Sequence, residues 1–208
     1  MIDEGYIKFD LQWRKTEALN NAEIASLNRW RRPLYDAALI GHYDELGIGF
    51  GNLSVRAGAE GQFIISGSQT GHLPDLGAEH YALVEDYDID RNRVFSSGAH
   101  EASSESMTHA AIYELDPQIG AVVHVHSKEL WIELKGSSAT TDPEVAFGTP
   151  EMAREFRRLF RETDFQKTGI AVMAGHASGL VSTGKTLQEA AERILAIDAG
   201  IKTSQRMP

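Results

Sequence analysis

Two histidines one residue apart, His124 and His126, end the apolar run Gly-Ala-Val-Val-His-Val-His at residues 120–126. The run predicts a strand. Successive strand side chains point to opposite faces, so the two imidazoles share one face and Val123 and Val125 share the other. Imidazoles at that spacing can bind one transition metal together. A third candidate ligand, His176, lies just past the predicted buried strand 169–174, between Gly175 and Ala177-Ser178-Gly179. Three imidazoles with one open position make a catalytic zinc arrangement. Glu105, nineteen residues before His124, falls in the first turn of a predicted helix beside Ser103 and Ser104. A carboxylate there could touch the metal or act as a base next to it.

Each residue also has a plainer reading. The histidine pair could be half-buried core side chains, His176 a loop residue, and Glu105 a carboxylate favoured by the helix dipole. His109, four residues after Glu105, shares its helix face and reads as a side-chain contact. His42, His72, His80 and His100 show no ligand spacing. Glycines 47, 49 and 51 do not make a nucleotide fingerprint, because the third comes too early and a strand follows.

The elements that must position these groups alternate in type. Asn20 with Glu23 resembles a capping box, and the helix after it should kink at Pro33 and end near Gly41. Residues 47–56 read as a loop running into a short strand, and 62–66, 80–87 and 93–96 as further strands. Ser103 and Ser104 can cap a helix to about Leu115, stopped by Asp116-Pro117. Thr149-Pro150-Glu151 starts another helix, residues 180–182 a short returning strand, and Thr186 with Glu189 the last helix. The opening sixteen residues have no clear period and read as an arm. No linker or internal repeat divides the chain, which predicts one α/β domain over residues 1–208.

Composition narrows the function. The chain has 208 residues, 42% hydrophobic and 24% charged, as for an ordinary globular protein. It has no cysteine, which excludes disulfides, thiolate metal sites and cysteine nucleophiles. Thirty acidic against twenty basic residues give a net charge of -10, a field that disfavours nucleic acid and anionic membranes as partners. No stretch approaches the ~20 apolar residues that span a bilayer, and the acidic opening does not read as a secretion signal. The expected location is the cytoplasm. An anionic substrate would need local cations, a bound metal among them.

Taken in order, Gly51-Asn-Leu-Ser-Val-Arg56, Ile64-Ile-Ser-Gly67 with Thr70-Gly71, Ser103-Ser-Glu105 with His109, Ala121-Val-Val-His-Val-His126, Phe147-Gly148-Thr149 and Gly175-His176 resemble the class II aldolase/adducin family. The resemblance implies a three-layer α/β/α fold around a central, largely antiparallel sheet. It implies a homotetramer with active sites at subunit interfaces. By similarity, His124, His126 and His176 hold a divalent metal, usually Zn2+, one per subunit. Glu105 matches the acid/base residue, and Asn52, Thr70, Gly71, Ser103 and Ser104 match positions that hold substrate. The implied activity is a zinc-dependent, aldolase-type lyase of carbohydrate metabolism, acting on a hydroxy-carbonyl or sugar-phosphate-like substrate through an enediolate. Epimerases and dehydratases of the family, and the non-catalytic association domain of adducin, are the alternatives. The loop 66–71 is about two residues longer than in the sugar-phosphate enzymes. Two residues separate His176 from Gly179, where the family usually has none. A cupin barrel, which also carries His-x-His, fits the predicted helices poorly.

Overall fold

Side-chain alternation along residues 121–126 sets the architecture: Ala121, Val123 and Val125 join one apolar cluster, and Val122 joins another on the opposite face. The structure, a computed structural model, describes residues 6–58 and 61–204. Strand β1 (Asp10–Lys15) leads to helix α1 (Asn21–Asp36), a hairpin of β2 (Gly41–Tyr43) and β3 (Ile48–Phe50), then β4 (Asn52–Arg56) and β5 (Phe63–Ser66). Two short 3-10 segments, Thr70–His72 and Ala78–His80, precede β6 (Tyr81–Asp88), β7 (Arg93–Gly98) and helix α2 (Ser106–Leu115). The chain continues through β8 (Ala121–His126), α3 (Lys128–Leu134), β9 (Ala139–Thr140), α4 (Pro150–Glu162) and α5 (Phe165–Thr168). It closes with β10 (Ile170–Val172), β11 (Gly179–Gly184) and α6 (Leu187–Ser204).

Nine strands form one sheet in the order β1-β7-β6-β5-β4-β8-β11-β10-β9. Only the two outermost pairings, β1 with β7 and β9 with β10, are parallel. Helices α2 and α4 cover one face through Met107, Ala110, Ala111, Met152 and Phe156. Helices α1, α3 and α6 cover the other through Leu27, Leu34, Leu130, Ala190 and Ile194. The result is the expected α/β/α sandwich with a largely antiparallel sheet. All six residues of β8 are buried. A strand covered on both faces reads as a continuous apolar run, which is why two histidines stand out there.

The helix starts follow their caps. Asn20 Oδ1 accepts from the Ala22 N–H at 2.9 Å, while Glu23 accepts from the Asn20 N–H at 2.9 Å. Thr149 Oγ1 accepts from the Met152 N–H and Thr186 Oγ1 from the Glu189 N–H. Helix α1 runs through Pro33 with no break and ends at Asp36, short of the expected Gly41. Pro33 sits in the last turn, and burial of Ile24, Leu27 and Leu34 holds the helix across it. The loop expected from residue 47 holds β3, whose hairpin partner β2 lies just before it. Of the opening arm, residues 1–5 lie outside the described residues, and Asp10–Lys15 pairs in parallel with Arg93–Gly98.

Candidate metal centre

Strand β8 aims His124 and His126 at the face beneath α2, and the turn between β10 and β11 brings His176 to meet them. His126 Nε2 lies 3.1 Å from His124 Nε2 and 3.1 Å from His176 Nε2. All three side chains are at most 3% exposed. The His124 Nδ1–H donates to the Leu180 carbonyl at 3.0 Å, so its Nε2 carries a lone pair in the neutral ring. Tyr43 Oη lies 3.3 Å from His126 Nδ1 and orients that ring from the hairpin.

Burial holds His124 down to about 4, with the Leu180 carbonyl opposing. Burial and neighbouring imidazoles hold His126 and His176 well below the usual histidine range. Three neutral rings therefore converge at neutral pH. His126 Nε2 carries at most one hydrogen and cannot donate to both neighbours. Tetrahedral Zn–N bonds of about 2.0–2.1 Å place ligand atoms about 3.3 Å apart, near the spacing found here. The donor set fits a divalent cation, and among the described residues no other group of His, Asp or Glu converges in this way.

Glu105 strengthens the fit. Its Oε1 lies 3.6 Å from His176 Nε2, and neither carboxylate oxygen has a hydrogen-bond partner. Burial pushes its carboxyl up to about 7, opposed by the nearby Thr108 hydroxyl and the charge of Lys8. Unpaired carboxylate oxygens at 2% exposure cost free energy that a nearby cation would recover. The Glu105 N–H donates to Ser103 Oγ at 3.2 Å, so the residue is held at the start of α2.

Glycines shape the His176 turn. A Cβ at Gly179 would collide with the His176 imidazole, and one at Gly175 with the Val145 carbonyl. Ser178 takes a φ of +67°, so the two residues before Gly179 make a tight turn that returns the chain to β11.

The other singled-out residues divide. Asn52 pairs in register with His124, and its buried Oδ1 lacks a partner. Ser103 and Ser104 are buried beside Glu105. Thr70 Oγ1 instead donates to the Gly67 carbonyl at 2.9 Å. Gly71 packs so closely on Gly41, Gly49 and Phe50 that a side chain there would strike the hairpin backbone. That pair reaches the centre through the hairpin, whose Phe50 ring centroid is 5.5 Å from that of His126. His109 makes the expected side-chain contact: its Nδ1 is 2.7 Å from Ser54 Oγ, which is 2.8 Å from the Tyr113 hydroxyl. Arg56 donates to the carbonyls of Tyr113, Asp116 and Ile119, fastening the end of α2 instead of serving the site.

Two neighbours of the centre carry no motif of their own. Tyr43 sits in a three-residue strand too short to show a period. Lys8 lies in the opening segment, 3.8 Å above the Phe147 ring, whose centroid is 4.3 Å from that of His176.

A profile of the class II aldolase and adducin N-terminal domain matches residues 37–204. Among solved structures, YgbL from Klebsiella pneumoniae superposes with a TM-score of 0.66 at 18% identity, covering 88% of each chain. An L-fuculose 1-phosphate aldolase gives 0.66 at 17% identity over 89% of this chain and 86% of that one. L-fuculose-1-phosphate aldolase from Thermus thermophilus gives 0.63 at 21% identity, covering 89% and 94%. These likenesses show a shared fold. No curated protein sequence matches the chain.

Proposed function

The chain belongs to the class II aldolase and adducin N-terminal domain family, and from that premise we propose that it is a metal-dependent, aldolase-type lyase. Its substrate is a small hydroxy-carbonyl compound, sugar-phosphate-like in form. The observation that carries this reading is the convergence of three buried neutral imidazoles beside an unpaired carboxyl.

In this reading His124, His126 and His176 hold one divalent ion per subunit, and an all-imidazole set suits zinc. When bound, the ion supplies Lewis-acid stabilisation of the negative charge that develops on the substrate oxygens as an enediolate forms. Glu105 moves the proton. Burial raises the carboxyl to about 7, and a bound cation would favour its ionised form, which takes a proton on Oε1 or Oε2 and, once protonated, is acidic enough to return it. The Asn52 amide and the Ser103 and Ser104 hydroxyls orient the substrate's oxygens, with Thr70 and Gly71 shaping the wall beyond. The sheet and α2 exclude bulk water from the reacting carbon, which strengthens each of these contacts.

The same site would serve an epimerase or dehydratase of the family. An adducin-like association role explains less, because it has no use for an intact ligand set and a buried acid. The chain works as one domain in a homotetramer in the cytoplasm, with the small-molecule substrate as its partner. No helix among the described residues is long and apolar enough to cross a membrane.

The test pairs metal titration with proton exchange. Purified protein should bind about one zinc per chain, and His124→Ala should abolish it. Zinc-loaded protein should exchange the α-proton of dihydroxyacetone phosphate with heavy water, and Glu105→Gln should stop it. A protein that binds no divalent metal at neutral pH would end the proposal.

A further inference from the structure

The segment before β1 brings a cation to the metal centre. Lys8 Nζ stands 3.8 Å from the Phe147 ring centroid, and Phe147 in turn packs on His176 with centroids 4.3 Å apart. His176 Nε2 is 3.6 Å from Glu105 Oε1, so a chain of contacts runs from the ammonium through the ring and the imidazole to the carboxyl. The backbone agrees: a Cβ at Gly148 would sit 3.9 Å from Lys8 Cβ and 3.0 Å from the Ser104 carbonyl. The segment is fixed, because the Lys8 carbonyl accepts from Asn92 Nδ2 at 2.9 Å and Phe9 is buried in the core.

We propose that the Lys8 ammonium, held on the Phe147 ring, anchors a terminal anionic group of the substrate, a carboxylate or a phosphate, at the metal centre. The inference rests on the reading of that centre given above. In a chain of net charge -10, a cation beside the acid gives an anionic substrate a local place to bind. A lysine that merely offset the charge of Glu105 would affect neutral and charged ligands alike.

Calorimetric titrations separate the two. Three probes share a hydroxy-ketone core: neutral dihydroxyacetone, 3-hydroxypyruvate with a carboxylate, and dihydroxyacetone phosphate. They are titrated into zinc-loaded and metal-free full-length protein, as wild type, Lys8→Met and Lys8→Arg. Lys8→Met should weaken an anionic probe roughly 10- to 100-fold, as expected for one charge-assisted contact. It should leave dihydroxyacetone and zinc binding unchanged, and Lys8→Arg should recover most of the loss. The anionic probe that loses more identifies the group recognised. Equal affinities in wild type and Lys8→Met, equal weakening of neutral and charged probes, or loss of zinc from Lys8→Met would each overturn the proposal. Failure of wild type to bind zinc would instead overturn the metal reading, and Lys8 would then be judged from the metal-free titrations.

Discussion

Replacing Glu105 with glutamine should stabilise the metal-free protein while removing its proton chemistry. The carboxyl is buried without a hydrogen-bond partner and is pushed from 4.5 up to about 7. A carboxyl whose folded value is raised binds its proton more tightly in the native state, so its ionisation penalises folding as pH rises from 4.5 to 7. Glutamine keeps the shape of the neutral form and carries no such penalty. Each tenfold difference in proton affinity between the folded and unfolded states is worth about 1.4 kcal/mol. Linkage then gives the variant an advantage of about 1.4 kcal/mol at pH 5.5 and about 3 kcal/mol at pH 8. Urea unfolding of zinc-free protein at both pH values measures the gap. Proton exchange by the zinc-loaded variant should fall roughly 10²- to 10⁴-fold. A variant no more stable than wild type at pH 8, or a gap that does not widen with pH, would refute the account of Glu105.

Tyr43→Phe removes the hydroxyl that orients His126 and should weaken zinc binding about 10- to 100-fold with little change in the far-ultraviolet circular dichroism spectrum. An unchanged zinc affinity would show that the hairpin plays no part in holding the ligand. Gly179→Ala places a methyl group against the His176 ring, and zinc titration should show a loss at least as large. Metal-free protein should lose stability in mild acid. Burial holds His109, His124, His126 and His176 below the usual histidine range, so as pH falls the unfolded chain takes up protons there that the native state resists, while the native state keeps the proton on Glu105. Four such histidines outnumber the one carboxyl, so the unfolding free energy should rise with pH between 5 and 6. A flat stability curve between pH 5 and 6 would contradict the burial of these rings.

What could be read from the chain follows the range of the physics involved. The face shared by His124 and His126 needs only strand alternation. The helix starts at Asn20, Thr149 and Thr186 need only local caps. Elements set by distant partners were less legible. Strand β1 has no period of its own and is defined by its ladder with β7. The three-residue strands of the β2–β3 hairpin give too short a pattern to read, and α3 is a seven-residue helix whose Ser127 cap lies directly after the histidine pair. Pro33 signals a break that buried Leu27 and Leu34 override. For the site, the type and spacing of His124, His126 and Glu105 speak in one dimension. The approach of His176 depends on a turn built from Gly175, Ser178 and Gly179. Tyr43 and Lys8 come to the centre from remote segments, and nothing in their own neighbourhoods marks them.

The central claim is that three imidazoles hold one metal ion. X-ray absorption at the zinc edge of the zinc-loaded protein tests it most directly. The account predicts one zinc per chain with three imidazole nitrogens at about 2.0–2.1 Å, and the loss of that zinc shell in His176→Ala. A zinc shell with fewer than three imidazoles, or one unchanged by that substitution, would contradict it.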